Sequence, residues 1–460
     1  MDKKKIPYTL KLIALLVTFG LCILTFIFLP EAFNLAQRIT IVIFLAAIGF
    51  WAFEIIPLYA TSILIVLALT FALTKLGGLI GLKETSYQFF LVPFSNPVIM
   101  LFFGGFVLAA AFNKYAVDRF FLHKFIKKLT SSPRKLLFGY LFISALFSMW
   151  ISNTATAAIM LALSKPILEQ LDENDLFKKG LVLAIAFGSN IGGICTPIGT
   201  PPNAIAIGVL AENNMTVNFF EWMIMAIPLA LIILTATGIV LHWKYPFQSH
   251  KMPELSSERK ILLKGGIPVI IIFFCMVLFW LTSFIHQIPD ALVALLGVGA
   301  LATFRLIDTS DLKKIHWDIL ILMWGGLALG QAFQVSKLTD HFYYLSIFQG
   351  HSFALVLTLC LLALIVSSFI SNTATANLII PLAVSIPSGE KVLLAVTIAL
   401  SCSFAMAFPV STPPNAIAYS SGYLRTKDFF QTGTLVSVLS LTIILIGFEF
   451  VILNVFNLIT

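Results

Sequence analysis

Apolar residues in this chain come in long unbroken runs, not in alternation with polar ones. Runs near 10–29, 37–53, 56–75, 91–112, 178–212, 219–243, 265–285, 290–306, 317–335, 391–423 and 432–457 are each long enough for an apolar helix. Two further apolar segments, 134–170 and 352–388, carry a Ser-Asn-Thr interruption near the middle. A membrane β-barrel would alternate apolar and polar residues, so the pattern predicts an all-α polytopic membrane protein.

The interruptions repeat. Ser152-Asn153-Thr154-Ala155-Thr156-Ala157 recurs letter for letter at Ser371-Asn372-Thr373-Ala374-Thr375-Ala376. Thr200-Pro201-Pro202-Asn203-Ala204-Ile205-Ala206 recurs at Thr412-Pro413-Pro414-Asn415-Ala416-Ile417-Ala418. A fainter pair, Phe103-Gly104-Gly105-Phe106 and Trp324-Gly325-Gly326-Leu327, precedes both. An ordered array of three blocks has been duplicated, and its small, polar and proline residues break helices inside apolar stretches, the combination expected of a transporter site. Packing alone explains small residues at helix contacts, but not the repeated asparagines and paired prolines.

Composition agrees and adds orientation. The 460 residues are 59% hydrophobic and 11% charged, too little charge for the surface of a soluble domain of this length. The net charge of +8 sits in loops and reads as topology, not as nucleic-acid binding. The basic start Lys3-Lys4-Lys5 leads into an apolar run longer than a signal-peptide core. If 134–170 and 352–388 both turn back within the membrane and the N-terminus is cytoplasmic, 24 of the 29 Lys and Arg fall on the cytoplasmic side. Only Arg38, Lys75, Lys83, Lys337 and Lys391 are left outside. If the first segment crossed instead, the basic stretch 244–264 would move outside. The bias therefore predicts two re-entrant hairpins, with the C-terminus outside. Residues 113–135 hold seven basic residues and their mate 336–351 only Lys337, so the repeats are expected to be inverted, with both hairpin tips near the midplane. Phe120, Phe121 and Phe125 among Arg119, Lys124, Lys127 and Lys128 suit a helix lying in the interface with membrane lipids.

Backbone that leaves a helix in a bilayer survives only where protein buries it or it lines a cavity. Breaks are expected at 152–154, 196–203, 371–373 and 408–415, each followed by a new helix with Asn153, Thr154, Asn372 and Thr373 as N-cap types and Pro-Pro in the first turn. Four half-helix N-termini with unpaired N–H donors then make an anion site. No Lys or Arg falls in a span core or hairpin tip, and no Asp or Glu at the breaks, so helix dipoles and bound cations must balance a dianion. Ser148, Ser152 and Asn153, with Ser367, Ser371 and Asn372 in the second half, offer hard oxygen ligands that carbonyls near Gly199 and Ser411 would complete. These suit Na⁺ better than a transition metal. Glu449 lies in the last run, where a packing or interface role is favoured, and Glu54 before Pro57 reads as a structural cap. The five cysteines and seven histidines show no metal spacing, and neither a P-loop nor a Gly-x-Ser-x-Gly is present.

With these motifs, and with Glu54-Ile-Ile-Pro57-Leu near the start, the chain resembles the divalent anion/sodium symporter family, the INDY-type dicarboxylate transporters, over nearly its whole length. The resemblance implies that Asn153, Thr154, Asn372 and Thr373 bind substrate carboxylates and that the Ser-Asn-Thr tips bind Na⁺. It implies that Gly199, Thr200, Ser411, Thr412 and Pro413 line the same pocket. It implies an elevator-type homodimer, with scaffold spans in 1–133 and 213–351, transport-domain hairpins and broken helices in 134–212 and 352–430, and a last span in 431–460. The expected activity is import of C4-dicarboxylates such as succinate, fumarate and malate across the cell membrane, coupled to Na⁺, without an organic cofactor. A Na⁺-independent dicarboxylate exchanger is the alternative, and a passive anion channel the alternative of another class. Where the first half has Asn190-Ile-Gly-Gly193 the second is aligned as Cys402-Ser-Phe-Ala405, so the two cation sites need not be equivalent.

Overall fold

The computed structural model describes residues 8–74, 86–126, 132–250, 263–338, 352–386 and 391–447, with side chains omitted at 8, 122–126 and 352. Glu449, the N-terminal lysines and the basic residues Lys127, Lys128, Lys251, Arg259 and Lys260 lie outside them. All regular structure among the described residues is helical. In order the helices are α1 (Tyr8–Phe28), α2 (Leu35–Ala52), α3 (Leu58–Leu73), α4 (Pro97–Lys114), α5 (Val117–Ile126), α6 (Pro133–Ser148), α7 (Asn153–Gln170), α8 (Phe177–Gly193), α9 (Pro201–Glu212) and α10 (Phe219–Lys244). They continue as α11 (Gly266–Leu281), α12 (Ser283–His286), α13 (Asp290–Thr303), α14 (Thr309–Leu312), α15 (Trp317–Val335), α16 (Ser352–Phe369), α17 (Asn372–Ser385), α18 (Lys391–Ser403), α19 (Pro413–Ser420) and α20 (Thr426–Gly447). Six of them, α1, α2, α4, α10, α15 and α20, are long and apolar enough to cross a membrane. The chain is a multi-pass membrane protein.

The helices end where the sequence supplies something to end them. Asn34 and Asn218 close α2 and α10 with capping boxes to Gln37 and Glu221. Pro133 and Pro413 occupy first turns, where a missing N–H costs nothing. The Glu54-Ile-Ile-Pro57 stretch is the turn between α2 and α3. Glu54 adopts φ +43°, and Lys11 Nζ donates to its carbonyl at 2.5 Å, so the backbone of this residue, more than its carboxylate, shapes the turn.

By packing, the chain forms two compact units, one of 1–99, 205–216 and 316–402, the other of 100–204, 217–315 and 403–460. In the first unit α15 lies against α3 and α17. Gly325 leaves no room for a Cβ against Ser62, and Gly326 none against Asn377. The second glycine pair is thus a close-packing device, and Gly326 and Gly330, one helical turn apart, face Asn377 and Pro381 of this same chain. In the second unit α6 and α7 form a helical hairpin packed on α8, and α10 packs on α6, α8 and α20. Gly104 there meets Ala294, as close an approach as its mate makes.

Candidate functional site

Both Ser-Asn-Thr blocks are helix starts, with one correction to the expected caps. The N-caps are Ser152 and Ser371, whose hydroxyls accept from Ala155 N at 3.3 Å and Ala374 N at 3.1 Å. Asn153 and Asn372 are already the first helical residues. A cap must hold extended backbone angles while its side chain reaches forward, and the serine one place earlier does this. The asparagine side chains are thereby freed to turn back toward the preceding helix.

In the second unit Asn153 Oδ1 lies 2.6 Å from Ser148 Oγ, which is itself 2.6 Å from the Ser189 carbonyl. In the first unit Asn372 Oδ1 lies 2.7 Å from Ser367 Oγ, itself 2.7 Å from the Cys402 carbonyl. Each hydroxyl carries one proton but faces two oxygens. The second contact requires either the asparagine amide turned so that Nδ2 donates, or a cation shared by the oxygens. Three uncharged hard oxygens in this arrangement fit an alkali cation, and among the described residues no His, Cys, Asp and Glu group could hold a transition metal. By this contact Ser189 is equivalent to Cys402, and so Asn190 to Ser403, one place from the expected alignment, whereas at the breaks Asn203 on Ile194 and Thr196 and Asn415 on Met406 and Phe408 keep the expected offset.

The proline-paired breaks solve the carbonyl problem that a broken helix creates. The breaks start earlier than the prolines, at 194–200 and 404–412. Asn203 Nδ2 sits 3.0 Å from the carbonyl of Gly193, 3.3 Å from that of Ile194 and 2.8 Å from that of Thr196, covering the freed end of α8. Asn415 does the same for Met406 at 3.2 Å and Phe408 at 3.1 Å. Both asparagines are fully buried. Thr196 also donates to Met149 O at 2.5 Å, tying the break to the turn before Ser152. A Cβ at Gly193 would stand 2.5 Å from Asn153 Oδ1 and displace that amide, and one at Gly199 would strike the Gly193 carbonyl, where the backbone cannot yield as a side chain can.

Within the second unit α19 packs on α7 and α8, which brings the second-half break beside the first Ser-Asn-Thr helix. Asn190 makes the link, with Nδ2 at 3.1 Å from Thr412 Oγ1 and 3.0 Å from Asn415 Oδ1. This unit therefore gathers Ser148, Ser152, Asn153, Thr154, Gly199, Thr200, Ser411, Thr412 and Pro413, while Ser367, Ser371, Asn372 and Thr373 belong to the other. Thr154 is exposed and Thr373 half-buried, whereas Thr200, Ser411 and Thr412 are buried and Pro413 is exposed. Two polar atoms at equivalent places, Thr156 Oγ1 and Thr375 Oγ1, are buried with no hydrogen-bond partner, as is Asn203 Oδ1.

Sequence reasoning missed several residues. Asn190 was visible only as an asymmetry, and Trp222, fully buried, donates from Nε1 to the Ile194 carbonyl at 2.9 Å. In the first unit Glu212 is held between Asn96 Nδ2 at 3.0 Å and Gln331 Nε2 at 2.7 Å, three residues far apart in the chain. A carboxylate closing the apolar run 178–212 was the available signal.

Against known proteins, residues 48–386 match the family described as citrate transporter, CitMHS, which is well over half of the chain. The sodium-dependent dicarboxylate transporter SdcS of Staphylococcus saprophyticus is 29% identical over 445 residues, covering 87% of this chain and 83% of that one. An uncharacterized transporter of Haemophilus influenzae is 32% identical over 418 residues, covering 86% and 87%. Among solved structures, MtrF of Neisseria gonorrhoeae, described with a class of antimetabolite efflux pumps, superposes with a TM-score of 0.55 at 11% identity, covering 87% of this chain and 96% of that one. That likeness concerns the fold alone. With its paired Ser-Asn helix starts and proline-paired breaks, this chain is a transporter, not an enzyme, and it belongs to the CitMHS citrate transporter family, among the INDY-type divalent anion/sodium symporters.

Proposed function

We propose that the protein is a secondary active transporter that imports C4-dicarboxylates such as succinate, fumarate and malate, driven by Na⁺. The observation that carries this reading is the doubled cluster of Ser148, Asn153 and the Ser189 carbonyl with Ser367, Asn372 and the Cys402 carbonyl. Each cluster is uncharged, oxygen-rich and adjacent to a helix N-terminus. A cation bound by these oxygens neutralises charge locally, and the free N–H groups of α7 and α17 then attract a carboxylate. Thr154 and Thr373 stand one residue into those helices and offer a hydroxyl to each carboxylate. The relatives named sodium-dependent dicarboxylate transporters support both the anion and the ion.

The inverted arrangement of the halves, the movement of a hairpin-bearing body against fixed scaffold spans, and a homodimer in the cell membrane with the N-terminus cytoplasmic complete the proposal. They rest on the charge distribution and the family. The test is uptake of labelled succinate by proteoliposomes. Accumulation only when Na⁺ is higher outside supports symport. Equal uptake with choline in place of Na⁺ overturns the coupling, and uptake that then requires internal dicarboxylate identifies an exchanger.

A further inference from the structure

One helical turn touches the first-half site twice. The Phe219 ring at the start of α10 lies nearly parallel to Trp150, with centroids 6.1 Å apart at 13°. Trp150 belongs to the turn that precedes Ser152-Asn153-Thr154. Three residues after Phe219, Trp222 holds the Ile194 carbonyl, one of the freed groups at the break. The hairpin tip and the break are therefore both referred to the position of the first turn of α10.

That turn is in turn held from α11 and α13. Trp280 stacks on Phe219 with centroids 4.5 Å apart at 4°. Asp290 Oδ2 accepts the Phe219 N–H at 2.7 Å, and Trp280 Nε1 donates to the Asp290 carbonyl at 3.1 Å. Phe219, Trp222 and Trp280 are all fully buried. The helix already has its own capping box from Asn218 and Glu221, so Asp290 is a second cap, supplied from another helix. Asp290 Oδ1 is shut off from solvent and has no hydrogen-bond partner, and Glu221 adds a second carboxylate nearby. A carboxylate with one unserved oxygen is costly to retain for capping alone, since serine or asparagine would cap without the charge. What it adds is strength: a charged acceptor at a helix N-terminus bonds more tightly than a neutral one.

We infer that Asp290 is a positioning residue for the Ser152-Asn153-Thr154 site: by fixing the first turn of α10 it sets the place of Trp150 and Trp222, and through them of the hairpin tip and the break. This rests on the reading that the site takes Na⁺ and a dicarboxylate. The test compares Asp290→Ala, Asp290→Asn and Trp222→Phe with wild type in Na⁺-driven succinate uptake by full-length protein in liposomes, separating the Na⁺ half-saturation from the maximal rate. Asp290→Ala is expected to raise the Na⁺ half-saturation about tenfold, with the maximal rate within about twofold. Asp290→Asn, which keeps an acceptor oxygen but loses the charge, is expected to fall between Asp290→Ala and wild type, with the Na⁺ half-saturation raised a few-fold. Trp222→Phe, which removes only the indole N–H, is expected to shift it in the same direction by a few-fold. The double change Asp290→Ala with Trp222→Phe should fall short of the product of the two, because both act through one turn. If Asp290→Ala does not fold, Asp290→Asn and Trp222→Phe still decide. Wild-type Na⁺ half-saturation in every folded variant overturns the inference while leaving the functional reading intact. A wild-type protein that needs no Na⁺ overturns both.

Discussion

The two Pro-Pro-Asn breaks have identical sequences but different surroundings. Asn415 is saturated, since its Nδ2 covers two carbonyls and its Oδ1 accepts from Asn190. Asn203 uses its Nδ2 in the same way, yet its Oδ1 is buried with no partner, and the residue in the place of Asn190 is Ser403. The duplicated motif therefore supplies the donor that repairs a broken helix in both halves, while the acceptor of the second-half asparagine is served from outside the motif by Asn190 and that of Asn203 is not. The halves therefore share an architecture without being equivalent.

The largest expected effect tests what the halves share. Asn153→Ala and Asn372→Ala each remove the amide oxygen beside Ser148 or Ser367, and each should weaken both Na⁺ and succinate binding by roughly a hundredfold, about twice the 1.4 kcal/mol that equals tenfold. If only one variant loses Na⁺ binding by calorimetry, the comparison sharpens to a single cation site. Thr154→Val and Thr373→Val keep the side-chain shape and remove one hydrogen bond to a charged group, worth about 1.5–3 kcal/mol. Succinate affinity should fall tenfold to a hundredfold, with Na⁺ binding in the absence of substrate changed less. Two folded variants that bind succinate like wild type would sink the idea that each tip holds one carboxylate.

Smaller effects probe the asymmetry. Gly193→Ala places a methyl against Asn153 Oδ1, a contact of the first-half tip alone, since by the break hydrogen bonds the corresponding place in the second half is Ala405, which already carries a methyl. Overpacking of about 1–3 kcal/mol should lower Na⁺ affinity about tenfold and leave a site built on Asn372 untouched. A single Na⁺ titration step lost, with the other retained, is the expected calorimetric signature. The smallest change is Asn190→Ala, which unties Thr412 and Asn415 and should cost about 1–3 kcal/mol of stability. It would be read as a lowered thermal midpoint in detergent with substrate affinity changed by less than the tip variants. No loss of stability would show that the second-half break does not depend on its first-half neighbour.

Much of this molecule was legible in the chain. Prolines, asparagines and serines inside apolar runs mark helix breaks because water is not there to satisfy opened backbone, and the duplication located all four. The gathering of hydroxyl and amide groups at Ser148 with Asn153 and at Ser367 with Asn372 was legible too, because these are the polar side chains left at the breaks. The exact cap was not, because Ser152 and Asn153 have similar capping propensities and only the backbone angles distinguish them. The glycine pairs were read as part of the repeated array, but what they make room for, Ser62, Asn377 and Ala294, is visible only once the helices are packed.

What the sequence determined by itself is therefore local: where helices run, where they must break, and which uncharged polar groups are left at the breaks. These follow from solvation and backbone hydrogen bonding within a few residues. What only the tertiary structure decided is which distant group completes each break. The Ser189 and Cys402 carbonyls, the Asn190 amide, the Trp222 indole and the Asp290 carboxylate all act across separations of tens to hundreds of residues. No periodicity encodes such partners, because a buried polar atom takes whatever donor or acceptor the folded neighbourhood brings within about 3 Å.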